Sequence, residues 1–124
     1  MSYQTLDSDR ATNPTFLGAI DLRDCCLPKE TFKTVTALSV LEHTKNPSQA
    51  INNLAEALLP GGTASFLTPW DLRFHGPRPD CWRISDDGYR ALLDGKLQVK
   101  GIRFCDNPAR PLSPFATYVH AEKS

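Results

Sequence analysis

Asp21 and Leu22 close the apolar run FLGAIDL at residues 16–22. At such a position a carboxylate accepts from an exocyclic amine while the next backbone N–H donates to a ring nitrogen, a workable clamp for the edge of an adenine. The competing reading is a carboxylate that caps a loop. Further along, the stretch from Pro69 to Arg83 gathers Trp70, Phe74 and Trp82 with His75, Arg78, Asp80 and Arg83. The rings offer apolar walls for a small acceptor molecule and the polar groups offer handles. His75 is the candidate general base if a hydroxyl or amine reacts there, and Arg83 is the candidate partner for an anionic group. Against this stands a structural reading, in which Trp82 packs in the core and Arg83 pairs with Asp80 or Asp86.

Other chemistries lack their residues. Cys25, Cys26, Cys81 and Cys105 form no CxxC pair, so reduced thiols are expected and no metal site is. The three histidines are not at metal-binding spacing, and there is neither a G-x-S-x-G elbow nor a paired-carboxylate pattern, which argues against a hydrolase or nuclease. Lys+Arg and Asp+Glu are equal at 14 each, without a run of like charge, so the chain has no phosphate-tracking surface and no nucleic-acid partner is expected. With no signal-peptide pattern and no apolar run of about 18 residues, the expectation is a cytoplasmic protein that does not enter a membrane.

The elements that must position these residues follow from periodicity. Residues 1–15 are polar, broken by Asn13 and Pro14, and read as a flexible N-terminal arm. Residues 16–124 read as one α/β domain, within the reach of a single core for 124 residues of which 40% are hydrophobic. Phe16 to Leu22 and Phe32 to Leu38 read as strands. Asn46 caps a helix with Pro47 in its first position and Ala50, Ile51, Leu54, Ala55 and Leu58 on one face; Pro60-Gly61-Gly62 ends it. Thr63 to Thr68 is a strand, Ser85 caps a second helix that runs to about Leu93 with Gly95 past its end, and Gln98 to Phe104 and Ala116 to Ala121 alternate as strands. Strands interleaved with helices predict a mostly parallel sheet with an antiparallel last strand. In such a sheet ligands sit outside the carboxyl ends of the strands.

One long run, LPKETFKTVTALSVLEHTKNPSQAINNLAEALLPGGTASFLTP, resembles the second half of the methyltransferase type 11 family of class I S-adenosylmethionine-dependent methyltransferases. The resemblance lies in Leu27-Pro28, Phe32, Val35, Val40-Leu41-Glu42-His43, Pro47, Leu58-Leu59-Pro60-Gly61-Gly62 and Pro69, in that order. The segment His75-Gly76-Pro77-Arg78-Pro79-Asp80-Cys81-Trp82-Arg83-Ile84-Ser85 is similar to one found in a subset of that family, and the tail from Tyr118 to Lys123 resembles its last strand. The resemblance implies a partial Rossmann-like class I sheet and S-adenosylmethionine as cofactor. It implies that Asp21 and Leu22 contact adenine and that Leu38 and Ser39 lie near the sulfonium. Trp70, His75, Trp82 and Arg83 are then in the acceptor pocket, with His75 as the catalytic candidate.

The family pattern also includes a first strand, a glycine-rich D-x-G-x-G-x-G turn, and a second strand ending in an acidic residue for the ribose hydroxyls. The sequence shows none of these elements, and Lys33 and Cys81 replace the family's usual Asp and Tyr. The expectation is therefore an N-terminally truncated member whose sheet has an open edge, available for a homodimer or a methyltransferase partner. Two functions follow: a methyltransferase, or a catalytically inactive remnant acting as a binding or assembly module.

Overall fold

The computed structural model describes residues 2–124. A four-stranded sheet runs in the order β3-β4-β6-β5, from β3 (Phe32–Leu38), β4 (Leu58–Pro69), β5 (Gln98–Cys105) and β6 (Ala116–Glu122). β3 and β4 are parallel, and β6 runs antiparallel to both β4 and β5. Three strands thus point one way and the last strand is the antiparallel one, as the sequence predicts. A separate parallel pair joins β1 (Leu6–Asp7) to β2 (Phe16–Leu17).

Two helices cover one face. Asn46 accepts from Gln49 N and starts α1 (Pro47–Ala57) with Pro at its first turn, while Ser85 accepts from Gly88 N and starts α2 (Asp86–Leu93). Both caps satisfy an N–H that the first turn leaves without a partner. Ile51, Leu54, Leu58, Tyr89 and Leu93 pack on Ala37, Ala64, Phe66, Val119 and Ala121 to form the core. Small residues on the strands let the helices approach closely. The opposite face carries Thr34, Thr36, Thr63, Ser65, Tyr118 and His120; Thr34 and Thr63 hydroxyls are 3.2 Å apart, and Ser65 links to His120 and Tyr118 at 3.3 and 3.2 Å. It is a polar face because every second residue of these strands points to it.

The N-terminal elements differ from expectation. The stretch expected as a loose arm up to residue 15 carries β1 and a short turn of helix at Arg10–Thr12, capped by Asp9. The strand expected over 16–22 is reduced to Phe16–Leu17, since Leu22 and Ile20 give their carbonyls to the Asn53 side chain instead of a ladder. Pro60-Gly61-Gly62 lies inside β4, because α1 already stops at Ala57. Within the described residues β3 pairs only with β4, so its other edge is the expected open one.

Candidate functional site

The carboxyl ends of β3 and β4 converge where Ser39 N donates to Leu67 O at 2.8 Å. Ser39 adopts a left-handed backbone, φ 55°, and this turn throws the chain from the exposed Leu38 into the one-turn helix Leu41–His43. Leu41 and Glu42 are driven inward and both are fully buried. The Glu42 carbonyl accepts from Cys81 N at 2.7 Å and Trp82 N at 3.2 Å, which ties the one-turn helix to the loop that follows β4.

That tie brings together side chains from distant parts of the sequence. Glu42 Oε1 lies 3.2 Å from His75 Nε2 and 3.8 Å from His43 Nε2. The two imidazoles meet edge to face with centroids 4.8 Å apart. His43 Nδ1 sits 2.7 Å from the Pro79 carbonyl oxygen, which can only accept, so Nδ1 carries a proton. Glu42 Oε2 is buried with no hydrogen-bond partner. The arrangement is a buried carboxylate facing two partly exposed imidazoles, able to orient His75 and to stabilise a positive charge on it.

Arg83 and Asp80 frame the loop. The guanidinium donates to both carboxylate oxygens of Asp80, at 2.6 and 3.0 Å, and to the carbonyls of Leu72, Arg73 and Trp82. Hydrogen bonding to Arg83, reinforced by the N–H of His75, holds the Asp80 carboxyl well below the usual carboxylate range, and Asp80 in turn raises the Arg83 guanidinium. Every direction of the guanidinium fork is therefore used within the protein. Behind the site, Tyr89 Oη and Thr68 Oγ1 are 2.8 Å apart, and burial pushes the phenol well above its ordinary value, so it stays protonated.

The sequence-selected residues fall into three groups. Leu38 is the last residue of β3 and Ser39 follows it. Asp21 spends its carboxylate on the N–H groups of Lys45 and Asn46, at 2.9 and 3.1 Å, which is the loop-capping alternative; Leu22 is exposed beside it. The four acceptor-pocket candidates separate: Trp82 and Arg83 line a cleft of about 470 Å³ with Pro47 and Leu92, Trp70 lines another of about 300 Å³, and His75 lines neither. Trp82 stays partly exposed, its indole N–H donating to Thr44 O at 2.8 Å.

Beyond its place in the Val40-Leu41-Glu42-His43 motif, Glu42 carries no signal of this contact in the sequence, and its partner His75 stands 33 positions away. Asp7 carries none either, because residues 1–15 show no periodicity. The structure places it at the end of β1, parallel to β2, so a short strand ending in an acidic residue stands where the sequence reading expected none.

A family model described as methyltransferase domain matches residues 4–66, just over half of the chain. Among curated proteins nothing matches. Among solved structures, the chain is similar to an S-adenosylmethionine-dependent methyltransferase from Methanosarcina mazei, with TM-score 0.64 and 13% identity over 88% of this chain and 66% of that one. It is similar to a Haloferax volcanii protein from a complex of a methyltransferase activator with a methyltransferase, with TM-score 0.69 and 16% identity over 94% and 70% of the two chains. A Mesorhizobium loti S-adenosylmethionine-dependent methyltransferase gives TM-score 0.65 and 18% identity over 95% and 78%. The chain thus spans just under two thirds of the Methanosarcina protein, at 66% of its length.

Proposed function

Because this chain belongs to the methyltransferase domain family, whose cofactor is S-adenosylmethionine, we propose that it takes part in methyl transfer to a small acceptor brought to the Glu42–His75 pair. The cofactor supplies an electrophilic methyl group on its sulfonium. The residues that suit it are Asp7, at the end of β1, for the ribose hydroxyls, the backbone of Leu22 for the adenine edge, and Leu38 with Ser39, at the end of β3, for the methionine end. Asp21 fixes the Leu22 loop to the start of α1.

The observation that carries the reading is the buried Glu42 carboxylate 3.2 Å from His75 Nε2, at the carboxyl ends of the parallel strands. A hydroxyl or amine of the acceptor gives its proton to His75, and Glu42 stabilises the imidazolium that results. Arg83, bound on all sides, positions the loop that carries His75, and an anionic acceptor group is not needed.

A second reading is favoured by the open edge of β3. A partner strand laid along that edge completes the sheet and brings the glycine-rich turn that this sequence lacks. In that reading this chain supplies the acceptor side and half of the rim, and a partner of the same family that carries the glycine-rich turn supplies the rest.

Calorimetric titration with S-adenosylhomocysteine tests the first reading. Micromolar binding is expected, weakened about tenfold or more in Asp7→Ala, which loses one charge-assisted contact. An absence of heat up to millimolar ligand sinks autonomous cofactor binding and leaves the partnered reading.

A further inference from the structure

We propose that Glu42, His43 and His75 form a binding site for a divalent first-row transition cation of the zinc type. One donor atom from each of the three residues lies within 4.8 Å of the other two. Ligands held about 2.1 Å from a tetrahedral ion are about 3.4 Å apart, and the Glu42 Oε1 to His75 Nε2 distance of 3.2 Å already meets that spacing. His43 Nε2, 3.8 Å from the same oxygen, closes on it with a small rotation of the ring.

The tautomer of His43 makes the case specific. Its Nδ1 proton is fixed on Pro79 O, so in a neutral ring Nε2 carries the lone pair, 3.8 Å from Glu42 Oε1. Lone pair against anion is repulsive unless a positive charge lies between them, either a proton on Nε2 or a metal ion. Glu42 adds to that demand. Its side chain is 0% exposed, and Oε2 has no partner at all. Arg83 is committed to Asp80 and to backbone carbonyls, so it gives Glu42 no hydrogen bond and acts on it only through its charge.

The donor set is one that zinc-type ions take, two imidazoles and a carboxylate with positions left open. The ligands' residues are held in advance: the backbone of Glu42 by the N–H groups of Cys81 and Trp82, the ring of His43 by Pro79 O, and the backbone of His75 by Asp80 Oδ2 at 3.1 Å. The imidazole side chains are 18% and 26% exposed, which gives an ion a path from solvent.

The experiment is a zinc titration of the full chain against a chromophoric chelator, without cofactor or acceptor, so that it succeeds or fails apart from the methyl-transfer reading. One zinc per chain is expected, with affinity lowered at least tenfold in His43→Gln and in His75→Gln and unchanged in His120→Gln and Cys81→Ser. Cobalt(II) provides a readout that needs no variant: a visible spectrum of nitrogen and oxygen ligation supports the site, whereas strong near-ultraviolet thiolate bands assign the ion to the cysteines and overturn it. No zinc uptake at 100-fold excess of ion over about 1 μM protein, or loss of uptake in Cys81→Ser but not in the two histidine variants, overturns it equally.

Discussion

The carboxylate of Asp21 accepts the backbone N–H of Asn46 at 3.1 Å, and that of Lys45 at 2.9 Å, so one side chain of the strand-end loop holds the start of α1. Asn46 is itself the N-cap, accepting from Gln49 N. The two residues therefore form a relay: Asp21 fixes the residue that caps the helix, and the same helix holds the loop in return through Asn53, whose side-chain amide donates to the carbonyls of Ile20 and Leu22 at 2.6 and 2.7 Å.

Asp21→Ala is expected to lower unfolding free energy by about 1–2 kcal/mol, the range for a lost cap with charge-assisted bonds. Urea denaturation reads this directly. Equal stability of the variant and the parent chain would remove the structural role and return Asp21 to the cofactor contacts.

The Asp80–Arg83 pair gives a pH signature. Asp80 has its folded pKa depressed by Arg83, so its contribution is fully present above the ordinary aspartate value of about 3.9 and is lost as pH falls through the lower folded value. The stability difference between the parent chain and Asp80→Asn is expected to be constant from about pH 5 to 8 and to shrink below about pH 4. Chemical denaturation at pH 7, 5 and 3 checks it; a difference that grows toward acid would contradict the pairing.

Much of this architecture is legible from local sequence, because caps and periodicity are local. Asn46, Pro47 and Ser85 mark the helix starts, and the alternation in residues 98–104 and 116–121 marks β5 and β6, since each signal spans a few residues and rests on nearby backbone groups. The site is less legible. Glu42 meets His75 only because the Ser39 turn and the Cys81–Trp82 backbone bonds fold two distant segments onto each other. β1 is two residues long and is defined wholly by its pairing with β2, which leaves no periodicity to detect. Arg83 and Asp80, three positions apart, are readable as a pair from sequence; that Arg83 also holds three carbonyls, leaving no donor for an acceptor, depends on the path of the loop.

The Pro60-Gly61-Gly62 segment separates two reasons for glycine. Gly61 has φ 76° and open space where a Cβ would stand, whereas at Gly62 a Cβ would lie 2.8 Å from Leu59 O, 3.0 Å from Leu58 Cδ2 and 3.1 Å from Lys33 O. Gly61→Ala meets only the left-handed backbone penalty, about 1–2 kcal/mol. Gly62→Ala must instead push apart two backbone oxygens where β4 runs beside β3, and neither can move as a side chain would. Its cost is expected to exceed that of Gly61→Ala and to reach about 2–3 kcal/mol, within the range for overpacking. Thermal and urea unfolding of the two variants side by side measure the order. The reverse order would mean that the sheet start is loose enough to absorb a methyl group, and that the left-handed turn at Gly61 is the tighter constraint on how β4 enters the sheet.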